Sequence, residues 1–175
     1  MDSNVLRWQK GGFLFTAAMG TFLHFLFDLT GESVWSGLFS AVNESIWEHM
    51  KLLFYPMVMV ALAEYFRLGK AQQGFWCIKL IGILTGLLVI PVIYYTYTGI
   101  LGVSADWFNI TIFFIAAGLV YFLETKLLLK EYNCRIPNSL ALALIIAIAL
   151  AFTIFTFAPP HIPLFRDPVT GSYGF

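Results

Sequence analysis

Five apolar runs constrain this chain more than any other feature. A stretch of 18 or more residues with few charges matches a bilayer core of about 30 Å at a 1.5 Å rise per residue. The runs lie at about 11–29, 45–66, 75–98, 107–129 and 140–157 of 175 residues. Within hydrocarbon every backbone N–H and C=O needs an internal partner, so such runs fold as helices. Hydrophobic residues make up 59% of the chain and charged residues only 11%, too few charges to coat a water-soluble globule of this size. The expected fold is all-α: an integral membrane bundle of five transmembrane helices. The linkers are too short for a soluble domain, so residues 1–175 are read as a single transmembrane domain in contact with membrane lipid. Gly11 to Leu29 leads into a polar loop with no small-residue cleavage site, so the first helix is expected to be retained.

Lys and Arg set the orientation. Arg7, Lys10, Arg67, Lys70, Lys79, Lys126, Lys130 and Arg135 share one side of the predicted spans, against Lys51 and Arg166 on the other. The positive-inside rule then places the N-terminus in the cytoplasm and the C-terminus outside. Cys77 and Cys134 fall on the predicted cytoplasmic side, where thiols stay reduced, and are expected as two incidental small apolar residues. A net charge of zero without a basic stripe argues against nucleic acid. Gly82 and Gly86 have the spacing that lets a neighbouring helix approach closely.

The three histidines, His24, His49 and His161, all fall at the opposite, external end, together with most of the acidic residues. Gly20, His24 and Asp28 follow i, i+4, i+8 spacing and share a helical face. In Asn43-Glu44-Ser45-Ile46-Trp47-Glu48-His49, Ser45 and Glu48 match a capping box. His49 sits about 6 Å inside the start of the second span, near the depth of His24. Pro56 predicts a kink. Pro159-Pro160-His161-Ile162-Pro163 cannot continue a helix, so Leu164-Phe165 is expected to fold back on the bundle and bring His161 over the site. Asp167 is read as the acceptor of a turn.

Three imidazoles with an open position form a common ligand set for catalytic zinc. His24, His49 and His161 are therefore the expected metal ligands. Asp28 is expected to orient a ligating imidazole, Glu44 or Glu48 to act as general base, and Ser45 to stand beside them. Each residue alone also has a packing explanation: a His24–Asp28 pair, or Glu48 completing the cap. Tyr94, Tyr95, Tyr97, Trp107 and Tyr173 read as an interfacial aromatic belt, and Asp106 and Asn109 as caps of the fourth span. Glu64 is expected to pair with Arg67, and Glu124 with a lysine such as Lys79.

Gly20-Thr21-Phe22-Leu23-His24, the segment Asn43 to His49, and Asp167-Pro168-Val169-Thr170-Gly171 together resemble a family of small, functionally uncharacterised bacterial multi-pass membrane proteins. The resemblance covers the whole chain and implies a bacterial inner membrane, but no activity. The ligand set is more loosely similar to the alkaline-ceramidase and progestin-receptor superfamily, whose membrane zinc sites use three histidines with an aspartate and a serine. This chain has five spans rather than about seven and lacks the paired H-x-x-x-H. The function expected is a metal-dependent hydrolase, with zinc, acting on a lipid or membrane-adjacent ester or amide at the external face. A cation or proton transporter or channel, and a non-catalytic membrane interaction protein, are the alternatives.

Overall fold

A computed structural model describes residues 2–175. Six α-helices follow in order: α1 (Asp2–Leu29), α2 (Val34–Gly37), α3 (Ile46–Arg67), α4 (Phe75–Leu101), α5 (Asp106–Leu129) and α6 (Asn138–Phe157). Single 3-10 turns lie at Gly69–Ala71 and Pro163–Phe165. Among the described residues there is no strand, only an isolated antiparallel bridge between Arg166 and Tyr173. All but α2 are long and apolar enough to cross a membrane, as the five runs predict. This is a multi-pass membrane protein.

The helix ends differ from the apolar runs for local reasons. α1 begins at Asp2 because Val5, Gln9, Gly12 and Thr16 repeat at helical spacing, and Val5, Gln9 and Thr16 are buried along one stripe. Hydropathy alone misses the polar opening of that stripe. α4 runs on to Leu101, where Gly102 takes the left-handed conformation (φ 71°) and its N–H donates to the Thr98 carbonyl. α3 passes unbroken through Pro56, which has no N–H to give to the Leu52 carbonyl one turn back.

α4 packs against α3, α5 and α6, while α1 lies against α3 and α5. The small residues on α4 do what their spacing predicts. A Cβ on Gly82 would stand 2.3 Å from Glu124 Oε1, and one on Gly86 would stand 2.6 Å from Leu53 Cδ2. Leu53, Phe54, Ile83, Ala116, Ala117 and Val120 fill the interior, whereas Leu14, Leu88, Ile110, Phe122 and Leu150 point outward. An apolar exterior around an apolar core suits lipid as the solvent. Cys77 and Cys134, expected as unrelated thiols, instead pair as a disulfide with Cα atoms 6.2 Å apart. The pair joins the start of α4 to the α5–α6 connection, a contact across 57 residues that spacing does not reveal.

An ion network is buried at each end of the bundle. At the histidine end, Lys51 Nζ lies 2.5 Å from Glu48 Oε2 and donates to the Gly37 carbonyl and to Thr156 Oγ1, each at 2.9 Å. Thr156 Oγ1 is 3.0 Å from Glu48 Oε1, and the Val42 N–H donates to Glu48 Oε2. At the basic end, Lys79 Nζ lies 2.6 Å from Glu64 Oε2 and 2.5 Å from Glu124 Oε2. Gln9 Nε2 donates to Glu64 Oε1 at 2.8 Å. Glu124 meets Lys79 as expected; Glu64 turns inward to the same lysine instead of pairing with Arg67.

Candidate functional site

α1 and α3 approach closely at Gly20, where a Cβ would stand 2.7 Å from the Leu52 carbonyl oxygen and 2.5 Å from Phe113 Cζ. The carbonyl is the one Pro56 leaves without its helical donor. This close approach sets His24, one turn further along α1, beside His49 on α3, with ring centroids 5.2 Å apart. The facing imidazoles predicted from their depths are present.

His49 Nδ1 lies 2.9 Å from the Ser45 carbonyl oxygen, and carbonyls only accept, so Nδ1 carries a proton. Nε2 then faces Glu44 Oε2 at 3.4 Å. A lone pair facing a carboxylate is repulsive unless a hydrogen-bond donor or a cation lies between them. His24 Nδ1 is buried with no hydrogen-bond partner among the described residues. One ligand atom from each of His24, Glu44 and His49 lies within 4.8 Å of the others. A proton on His49 would satisfy Glu44 and leave His24 unpartnered; one divalent ion would serve all three.

The cluster lies at the polar head of a cavity of about 570 Å³. His24, Glu44, His49, Ser104, Asp106 and Asn109 line the head, and Leu52, Ile90, Ile112 and Phe113 the body. Thr21, Phe25, Ile110 and Phe114, which also line it, belong to the outward face of α1 and α5, so the cavity wall is continuous with the surface that meets lipid. Toward the basic end, Leu53, Met57, Val60, Ala61, Ile83, Leu87, Ala117 and Val120 form a buried apolar layer.

Other expected site residues are placed elsewhere. His161 does not reach the cluster: held between Pro159-Pro160 and Pro163, it is exposed and stacks on Tyr173 at 4.6 Å. Leu164-Phe165 does fold back, with Phe165 against Trp47 and Phe155. The tail residues that line the cavity are Pro168 and Val169. Glu48 is buried in the Lys51 network and does not line the cavity. Ser45 is the N-cap of α3, its Oγ accepting the Glu48 N–H at 3.3 Å, and is buried. The return half of the capping box is taken over by Asn43, whose Oδ1 accepts the Ser45 N–H. Asp28 is exposed, and no hydrogen bond joins it to His24 among the described residues.

Asp167 has its expected turn: Oδ1 accepts the Val169 N–H at 2.7 Å and the Thr170 N–H at 3.3 Å. Burial works against its charge, but these donors, with the Thr170 hydroxyl and the Glu44 amide, hold its carboxyl below the usual aspartate range. Asn43 Nδ2, in the loop that carries Glu44, donates to the Gly174 carbonyl of the tail at 3.0 Å.

Asp106 and Asn109 were assigned only as caps, yet neither side chain caps α5. Both line the cavity head instead. Asn109 accepts from the Tyr97 hydroxyl and donates to Ser104 Oγ. Tyr97 is buried in that contact, while Tyr95 and Trp107 are exposed as a belt requires. The fact that Asp106, Asn109 and the histidines fall at one end was visible in the sequence; their convergence on one cavity was not.

The model of a Family of unknown function (DUF6512) matches residues 2–175, and the chain belongs to that family. No curated protein and no solved structure matches it.

Proposed function

We propose that this member of an uncharacterised family is a metal-dependent membrane hydrolase, with zinc held by His24, His49 and Glu44, acting on an ester or amide of a lipid or membrane-adjacent substrate. The observation that carries the reading is the unpartnered Nδ1 of His24 beside the His49–Glu44 contact, at the polar head of an otherwise apolar cavity. Two imidazoles, one carboxylate and an open position form a known catalytic zinc set. Bound there, the ion would supply a water activated near neutral pH and polarise a carbonyl. Ser45 fixes the His49 tautomer through its carbonyl. Asp106 is the carboxylate other than Glu44 that lines this cavity, and it would serve as the proton acceptor. Asn109, held by Tyr97 and Ser104, offers a fixed polar contact to substrate.

The positive-inside distribution supports an external face for this head, with the N-terminus cytoplasmic and the C-terminus external, and the family resemblance supports a bacterial inner membrane as its setting. The apolar layer beneath the cavity favours a chamber closed toward the basic end over a conduction path. It supports hydrolysis above the transporter reading.

The test is activity of the purified protein in lipid nanodiscs on a panel of fluorogenic acyl esters and amides. Chelation should abolish turnover and zinc restore it. His49→Ala should lose at least 10²-fold, and His161→Ala should match the parent. Turnover that survives chelation, or that His161→Ala removes while His49→Ala does not, contradicts the assignment.

A further inference from the structure

The network at the basic end is short of one positive charge and of a hydrogen-bond donor in the same place. Glu64, Lys79 and Glu124 are 0%, 2% and 1% exposed, so two carboxylates share a single buried ammonium. Glu64 Oε1 accepts from Gln9 Nε2, while its Oε2 lies 2.6 Å from Lys79 Nζ as an ion pair without hydrogen-bond geometry. Glu124 Oε2 shares that ammonium, but its Oε1 has no partner, and neither does Gln9 Oε1. Tyr121, one turn before Glu124 on α5, is taken by Thr16 at 2.8 Å. Buried charges are tolerated only when paired, and buried acceptors only when hydrogen-bonded. The Glu48–Lys51 network obeys both rules, so the shortfall is particular to this site.

We propose that the Glu64–Lys79–Glu124 triad binds one small monovalent cation, a proton or a sodium ion, with Glu124 Oε1 as its ligand atom. One such ion removes the excess negative charge and meets the bare oxygen. Glu64 lies one turn from the end of α3 and Lys79 one turn from the start of α4, so the site is about 5 Å below the basic surface. The buried apolar layer separates it from the histidine cavity, and the inference stands independently of the metal reading.

Infrared spectroscopy and thermal unfolding of the full chain in nanodiscs test it. If the cation is a proton, the neutral-pH spectrum shows a protonated-carboxyl carbonyl band that Glu124→Gln or Glu64→Gln removes. If it is sodium, the unfolding midpoint rises saturably with sodium chloride over N-methylglucamine chloride at equal ionic strength, and Glu124→Gln abolishes the rise. Either result supports the site. Absence of both in the parent protein overturns it, whether or not the variants fold. So does a band or sodium response that a folded Glu124→Gln and a folded Glu64→Gln both leave unchanged.

Discussion

Glu48 and Lys51 come from a single turn of α3, and their network closes on itself with every carboxylate oxygen partnered. Glu64, Lys79 and Glu124 come from three helices, and their network leaves Glu64 Oε2 and Glu124 Oε1 without a hydrogen-bond partner. The first is a neutral clamp that joins α3 to α6 through Thr156 and to α2 through the Gly37 carbonyl. With Glu48 and Lys51 taken up in it, the His49–Glu44 contact is made without either of them. The second holds α3, α4 and α5 together but carries one carboxylate more than its single ammonium balances. Burial is equal in the two places; the difference lies in the balance of charge and of donors.

The largest effect expected from breaking this contrast is at Lys51. Lys51→Met leaves Glu48 charged and buried, which should lower unfolding stability by about 3–5 kcal/mol. Replacing Glu48 with Leu in the same chain should recover most of that loss, because a well-packed apolar pair is often as stable as a buried ion pair. Denaturant unfolding in detergent measures both, and a Lys51→Met chain as stable as its parent would show that the clamp holds nothing.

Gly20→Val sharpens the comparison by forcing α1 and α3 apart at the histidine end. The added atoms meet the Leu52 carbonyl and Phe113, at a cost of about 1–3 kcal/mol. Gly11→Val, at the basic end of the same helix, meets nothing within 4 Å and should leave stability unchanged. Equal effects of the two substitutions would remove Gly20 as the point of close approach.

A smaller effect belongs to the tail. Asp167 is held below its ordinary pKa, so its contribution is present above about pH 4 and is lost as pH falls through the lower folded value. Asp167→Asn, which weakens charge-assisted bonds, should cost about 1 kcal/mol and make tail proteolysis at neutral pH resemble that of the parent in acid. A cleavage rate independent of both pH and this substitution would detach Asp167 from the order of the tail.

The smallest change is expected at Glu124. Glu124→Gln leaves one carboxylate against one ammonium and should shift stability by less than about 0.5 kcal/mol, since no new unpaired charge is created. A loss as large as that of Lys51→Met would mean that the two networks are built alike.

Sequence showed the spans well, because bilayer thickness fixes their length and the residues between them are short and polar. It also showed the depths of His24 and His49, since both follow from helical rise. Glu48 was misread because a capping box and a buried clamp use the same spacing: the choice between them depends on Lys51 and Thr156, 105 residues apart in sequence. His161 shares the membrane end of His24 and His49 and its tail folds back as expected, but three prolines within five residues direct its backbone, and only contacts with Tyr173 reveal where the ring goes. The disulfide and the Gln9–Glu64 bond link segments more than fifty residues apart and have no local signal.

Metal content of the purified chain, prepared without chelator or a histidine tag, tests the central claim most directly. Elemental analysis should find close to one zinc ion per chain. His24→Ala, His49→Ala and Glu44→Ala should each lower occupancy at least tenfold at limiting zinc, and His161→Ala should retain it. A folded parent chain that carries no metal and takes up none from added zinc, or one in which His161→Ala alone empties the site, contradicts the account.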